Sequence, residues 1–307
     1  MFSPEGYRAL RHGAGVVYRR DRGLLSVTGA DRLAWLQGLL TNDVAAMPNG
    51  GVRYAAYLTP QGRMITDMRV AHFADRTLLD VPASLASGLQ ARLQGLLFSE
   101  DAEVSDASRH LELIDVHGPD AAAVANGDSL VADAVFGVPG YSAFVSSPDA
   151  VALVGRLVSR GGVETTLATL DVLRVEAGRP AFLVDMDEHT IPLEAGIEDR
   201  AISFTKGCYV GQEVIVRVMH RGGGRVAKKL VGLVFEKAQL PHAGDTILAG
   251  GREAGRLTSV VWSPLLQRGI ALGFVHRNFA EPGVWVEIRT IDGAVEGKIV
   301  PLPFVGP

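Results

Sequence analysis

The residues best suited to chemistry cluster in Lys206–Arg217, KGCYVGQEVIVR, a stretch that holds the only cysteine of the 307-residue chain. Cys208 stands between Gly207 and Gly211, with Lys206 two positions before it and Gln212 and Glu213 after it. Gly-Cys-Tyr-Val-Gly suits neither a helix nor a core strand, so the thiol is expected on a turn. The β-branched run Val214–Val218 that follows reads as a strand. Nearby cations and the N–H groups of a glycine-rich turn favour a thiolate, and Lys206 and Arg217 are the candidate cations. By type alone, a lone cysteine is more often a small apolar filler. No histidine or aspartate stands close enough in sequence to be named its base.

Glu176 is the second candidate. It closes a short helix in Leu173-Arg174-Val175-Glu176-Ala177-Gly178, where the helix dipole disfavours a carboxylate. A bicyclic heterocycle with two adjacent N–H donors, such as a pterin, would be held bidentately by that group. A surface salt bridge to Arg174 or Arg179 is the plainer reading. Asp67 is the third, flanked by the apolar residues Met64, Ile65, Met68 and Val70 of a strand, and it faces either solvent or a cleft. Arg217, His220, Arg221, Arg225, Lys228 and Lys229 form the main basic cluster, by default a solvated loop, with a polyanionic ligand tail or RNA phosphate as the functional alternative.

Other chemistries find little support. One cysteine and eight dispersed histidines fit no zinc spacing. Gly222-Gly223-Gly224 lacks the context of a phosphate loop, and no Gly-x-Ser-x-Gly elbow occurs. With 30 basic and 34 acidic side chains the formal charge is -4, which argues against a dedicated nucleic-acid binder. A lone cysteine forms no internal disulfide, and no apolar run nears the roughly 20 residues of a membrane helix. A cytoplasmic location is expected.

The elements that must position these residues read as an α+β chain. A hairpin is expected from Val16–Tyr18 and Leu24–Val27, then a helix opened by Asp31 with Leu33, Leu36, Leu39 and Leu40 on one face. A second hairpin, Val52–Leu58 and Met64–Phe73, turns at Thr59-Pro60-Gln61-Gly62. Thr77–Val81 is a strand, and Pro82 begins a helix. The pattern returns in shorter form with Leu111–Val116, a small helix Ala121–Ala125, Tyr141–Val145 and a helix capped by Ser147-Pro148. Thr169–Ala177 is helical. From about residue 228 short strands recur at regular spacing, as in a small β-barrel or sandwich. The expected division is 1–105, a first α+β unit sharing segments with the next; 106–227, a second α+β unit with the cysteine motif; and 228–307, a C-terminal β-barrel. The two α+β units have ferredoxin-like character.

Together these segments resemble the folate-binding aminomethyltransferase-like superfamily. The closer resemblance is to its YgfZ branch, whose eukaryotic relatives act in iron–sulfur protein maturation. The motif of that branch, Lys-Gly-Cys-aromatic-x-Gly-Gln-Glu followed by Arg, stands complete as Lys206, Gly207, Cys208, Tyr209, Gly211, Gln212, Glu213 and Arg217. Leu36-Gln37-Gly38, Thr41-Asn42-Asp43, Leu58–Gly62 ahead of Asp67, Arg174–Pro180, Pro192–Gly196 and Gly273-Phe274-Val275 also match in order. The resemblance implies a three-domain ring around a channel holding tetrahydrofolate or a derivative, including a polyglutamylated one. It implies Glu176 on the pterin, with Arg174, Asn42 and Asp67 as further folate contacts, and the Cys208 thiol near the channel mouth. The basic loop Arg217–Lys229 is the expected contact for a polyglutamate tail. In the glycine-cleavage aminomethyltransferases an acidic pair occupies the place that reads Thr66-Asp67 here, and the Cys208 motif is lacking. The implied function is therefore support of iron–sulfur protein assembly or repair, with iron–sulfur proteins or their assembly factors as partners. The alternatives are a glycine-cleavage-type aminomethyltransferase and a non-catalytic folate-binding or tRNA-modification accessory.

Overall fold

Pro4 in the first turn and Ser3, whose Oγ accepts a bond from the Gly6 N–H, start an amphipathic helix, α1 (Pro4–His12), which the expected elements do not include. β1 (Gly15–Tyr18) and β2 (Arg22–Thr28) come next, and the expected hairpin is overturned: the two strands enter different sheets. Arg19 between them donates to Asp21 and to the distant Asp115, and Arg22 at the start of β2 donates to Asp80. Then follow α2 (Arg32–Leu39), β3 (Val52–Leu58), β4 (Met64–His72), β5 (Thr77–Pro82), α3 (Ala86–Gln94) and β6 (Glu103–Asp106). β7 (Leu111–His117), α4 (Ala121–Ala125), β8 (Val131–Ala132), β9 (Gly140–Ser146), α5 (Ser147–Ser159) and β10 (Val163–Glu164) complete this stretch. The β3–β4 hairpin forms as its turn chemistry predicts.

This computed structural model describes residues 1–220, 223–236 and 240–306. The chain forms two units, Met1–Leu170 with Asp199–Gln212, and Asp171–Glu198 with Glu213–Pro307. The first holds two five-stranded sheets, ordered β3-β4-β5-β2-β6 and β10-β1-β7-β9-β8. Side chains alternate along each strand, so each sheet has two distinct faces. Leu25, Val27, Ala55, Tyr57, Met68, Val70, Leu79 and Val81 pack with Trp35 and Leu36 of α2 and Leu89 and Leu93 of α3. In the other sheet Val16, Ile114, Val116 and Ala143 pack with Val124 of α4 and Leu153, Val154 and Leu157 of α5. Each sheet thus buries one face under helices. The remaining faces carry Leu24 and Leu113, which meet in a small apolar cluster. They also carry an ionic network centred on the fully buried Asp80 and Asp115.

Arg69 of β4 anchors that network. Its guanidinium donates to Asp80 of β5, to Asp133 and to Ser142 of β9, and it lies 3.5 Å from Asp115 of β7. Arg22 donates to Asp80 at 2.6 Å and Arg19 to Asp115 at 2.7 Å. Strand periodicity explains the grouping. Asp67 and Arg69 are two residues apart and share the face opposite Met68 and Val70.

In the second unit the terminal strands close into a barrel, ordered β11-β14-β13-β12-β15-β16. These are β11 (Lys228–Phe235), β12 (Thr246–Ala249), β13 (Arg252–Ser263), β14 (Arg268–His276), β15 (Trp285–Thr290) and β16 (Gly293–Val300). Val231, Leu233, Phe235, Ile247, Leu257, Ile288 and Ile299 fill it. The whole is a mixed α/β fold with a closed β-barrel, as the spacing of the short strands indicates. Between the two stretches run α6 (Leu167–Glu176), α7 (Pro192–Ala195), α8 (Glu198–Ala201) and α9 (Gln212–His220).

α9 corrects the strand expected at Val214–Val218. β-branched residues cost a helix only tenths of a kcal/mol each, which local charge readily overrides. Glu213 lies in the first turn and Arg217 and His220 in the last, each favourable to the helix dipole. Val214, Ile215 and Val218 fall on one stripe at helical spacing. Among the described residues no helix is long and apolar enough to cross a membrane, and no group of three or more His, Cys, Asp or Glu could hold a metal ion.

Candidate functional site

Asp67 does not lie on a solvent face; only 5% of it is exposed. It pairs with Ala56 across the β3–β4 hairpin, which places Tyr54 on the same face one step along. The Tyr54 hydroxyl donates to Asp67 Oδ2 at 2.8 Å. Asp67 Oδ1 is buried and, among the described residues, accepts no hydrogen bond. A buried carboxylate oxygen without a donor is costly, so such an atom marks a place where a ligand N–H would fit.

The electrostatics suit that use. Burial pushes the Asp67 carboxyl above its ordinary value, and Asp80 adds to the effect; Arg22, the Tyr54 bond and Arg200 oppose it. Burial and the adjacent carboxylate hold the Tyr54 phenol well above its usual value, so it keeps its proton and remains a donor. The Arg200 guanidinium lies over the Tyr54 ring, 4.8 Å from its centroid.

Asn42 and Lys206 shape the loop beside this group. Asn42 Nδ2 donates to the carbonyls of Tyr54 (2.8 Å) and Arg200 (2.7 Å), so both amide protons are engaged by backbone. Lys206 Nζ donates to the carbonyls of Gln37 (2.7 Å), Leu40 (2.6 Å) and Asn42 (2.9 Å). These carbonyls lie at the C-terminal end of α2, where a helix leaves acceptors unpaired and favours a cation. All three ammonium protons are thereby used, so Lys206 acts as a latch and has no proton left for a thiolate. Val210 N–H adds a bond to the Gly38 carbonyl, and Tyr209 is buried. Gly211 adopts φ +85°, and a Cβ there would come within 2.5 Å of the Thr59 carbonyl, so only glycine fits.

Between these anchors Cys208 is exposed, in an irregular stretch just before the turn at Val210 and Gly211. Lys206→Met is expected to lower stability by about 2–4 kcal/mol, because three carbonyls lose a charged donor. Urea unfolding of the two proteins measures it, and an unchanged midpoint would show that water serves those carbonyls equally well.

Arg174 and Glu176 belong to the second unit and are both buried. Arg174 donates to Asp171 (2.7 Å), to Asp185 (2.6 Å), to the Arg179 carbonyl (2.7 Å) and to Ser259 Oγ (2.7 Å). Its donors are thus turned inward. Glu176 accepts a bond from Ser263 Oγ, and its backbone carbonyl accepts the N–H groups of Phe304 and Val305. The surface salt bridge considered for Glu176 does not describe a side chain that is 0% exposed. Gln212 opens α9, while Glu213 and Arg217 are exposed on it. Of the basic cluster, His220, Arg225 and Lys229 are exposed, and Lys228 Nζ lies 4.7 Å from the Phe274 ring centroid. Arg221 and Gly222 lie outside the described residues.

The structure therefore brings Asp67, Asn42 and Lys206 into one neighbourhood of the first unit, with the Cys208 segment held there by its flanking residues. Sequence reading missed Tyr54 and Arg200. The register of the 52–58/64–72 hairpin carries the signal for Tyr54, since it sets that ring diagonally across from Asp67. Arg200 carries none, because it arrives from a segment some 130 residues further on.

Comparison with known proteins gives a consistent picture. Residues 3–134 match the GCVT N-terminal domain, and residues 228–306 match the glycine cleavage T-protein C-terminal barrel domain. An aminomethyltransferase of Rubrobacter xylanophilus is 31% identical over 321 residues, covering 97% of this chain and 85% of that protein. One from Thermus thermophilus is 31% identical over 329 residues, covering 98% and 90%. The crystal structure of glycine cleavage system aminomethyltransferase T from Bartonella henselae superposes with a TM-score of 0.89 at 22% identity, covering 99% of this chain and 91% of that one.

Proposed function

This chain belongs to the glycine cleavage T-protein family of aminomethyltransferase-like proteins, and we propose that it binds a tetrahydrofolate through Asp67 and handles a one-carbon unit of the aminomethyl class. The observation that carries this reading is the buried, undonated Asp67 Oδ1. A reduced pterin presents N–H donors, which match an acceptor lacking one. Tetrahydrofolate would supply the nitrogen that takes up the one-carbon unit. Tyr54 fixes Oδ2 and leaves Oδ1 for the ligand, and its high phenol pKa keeps that orientation across the neutral range. Burial also raises the Asp67 carboxyl above its ordinary value, which makes its proton easier to retain than that of an exposed aspartate. The curated relatives named above are aminomethyltransferases, which supports transfer chemistry as the first reading.

The test uses an aminomethylated lipoyl carrier protein. Folate-dependent ammonia release is expected, together with calorimetric binding of tetrahydrofolate. Absence of both would overturn the reading.

A second reading, support of iron–sulfur proteins as in the YgfZ-like branch, is favoured by one observation. The exposed Cys208 sits in a stretch tightly anchored by Lys206, Tyr209 and Gly211, within the complete Lys206–Arg217 motif. That is a costly way to present an inert filler. On this reading cells carrying Cys208→Ala lose most activity of iron–sulfur enzymes such as radical methylthiotransferases while the protein accumulates normally. Retained activity would reject the thiol role.

A further inference from the structure

Arg200 sits where an ordinary surface arginine would not stay. Its guanidinium carbon lies 4.8 Å from the Tyr54 ring centroid, and its Nε–H is buried and donates to no acceptor. Among the described residues no ion pair holds it on that ring. The backbone at the same point is tied, because Asn42 donates one amide proton to the Arg200 carbonyl and the other to the Tyr54 carbonyl. One side chain thus fixes both partners of the stack, and Tyr54 in turn donates to Asp67 Oδ2. The chain of contacts runs from α8 through an aromatic face to a carboxylate.

We propose that Arg200 is a positioning residue for Asp67: by stacking on Tyr54 it keeps the phenol donating to one carboxylate oxygen, so that the other stays directed to the ligand. This rests on the folate reading of the Asp67 site. A planar cation over a phenol ring withdraws density from the hydroxyl and strengthens it as a donor, and it restricts the ring's rotation. The charged and titratable groups that face Asp67 are Arg22 from β2, Tyr54 from β3, Asp80 from β5 and Arg200 from α8. Arg22 is already engaged by Asp80, both through Nε and through the backbone carbonyl. Arg200 is therefore the cation among these with no carboxylate partner of its own, and its charge remains available to Asp67.

The experiment compares wild type, Arg200→Gln and Arg200→Lys. The Asp67 carboxyl is followed by carbon NMR in ligand-free protein, with Asp67→Asn to assign the signal, and tetrahydrofolate affinity is measured against pH by calorimetry. In Arg200→Gln the Asp67 titration is expected to move to higher pH, affinity to fall roughly tenfold, and the acidic limb of the binding profile to move with the titration. Arg200→Lys restores the charge but not the planar stack, so its titration returns toward wild type while affinity recovers only in part. A merely structural role would leave the titration and the acidic limb in place, and that result, or unchanged affinity in Arg200→Gln, overturns the proposal. If wild type binds no tetrahydrofolate the folate reading fails, and the ligand-free titration still decides whether Arg200 governs Asp67. Should Arg200→Gln not fold, Arg200→Met and Arg200→Lys provide the same comparison.

Discussion

Asp67→Asn is expected to weaken tetrahydrofolate binding by roughly tenfold to a hundredfold, the value of a buried charge-assisted hydrogen bond, while leaving the ligand-free protein as stable as wild type or more so. The two halves come from one cause. The folded protein holds the Asp67 carboxyl above its unfolded value of 3.8, mainly through burial. Above that value the folded state binds more protons than the unfolded one, so stability falls as pH rises through the window up to the folded pKa. At pH 7 the raised carboxyl carries a standing cost that asparagine does not. Asparagine also keeps an oxygen for the Tyr54 hydroxyl. Thermal melts at pH 4 and pH 7 should therefore show the variant gaining on wild type as pH rises. A variant that binds folate normally, or melts lower at pH 7 than wild type, contradicts this account.

The opposite sign applies to Arg69→Met. Removing the guanidinium leaves Asp80 and Asp115, both 0% exposed, without the cation they share. Breaking one partner of a buried ionic network costs about 3–5 kcal/mol, because the remaining charges stay enclosed. Urea unfolding should show that loss in the first unit. Burial works against ionisation of Asp80 and Asp115, yet the arginines outweigh it and hold both carboxyls below 3.8. Their stabilisation is thus fully present above the unfolded value and is lost as pH falls through the folded ones. Wild type should lose stability progressively below about pH 4, and Arg69→Met should show a shallower acid limb. Equal acid limbs would place the network's contribution elsewhere.

Much of the architecture was legible in the residues. The β3–β4 hairpin, the helices over each sheet and the β-barrel follow from alternation, turn chemistry and strand spacing. Two errors have the same origin. The supposed hairpin of β1 and β2 failed because each strand pairs with distant partners, β1 with β7 and β10 and β2 with β5 and β6, and not with its neighbour in the chain. The supposed strand at Val214–Val218 failed because β-propensity is a weak preference that end charges and stripe spacing overcame. The site divides similarly. An exposed Cys208 outside helix and strand and Gly211 at a position only glycine can occupy were readable from local types. Lys206 was marked as a thiolate partner because sequence shows a charge but not its acceptors, and those acceptors lie some 165 residues earlier. Asn42 was marked as a folate contact, and the structure shows its amide protons bonding to backbone. In both cases the motif located the neighbourhood while long-range pairing set the task of each side chain.

The latch formed by Lys206 has a consequence for how the chain is made. The carbonyl end of α2 emerges from the ribosome early, yet the ammonium that satisfies it is encoded well over a hundred codons later, after the start of the second unit has been translated. A nascent chain stopped near residue 170 would lack Lys206, Tyr209 and the Arg200 and Ala201 carbonyls that engage Asn42 and Thr41. Completion of the first unit must wait for translation to pass Gln212, so the two units are completed in interleaved order, and the thiol-bearing segment is among the last pieces of the first unit to be set in place.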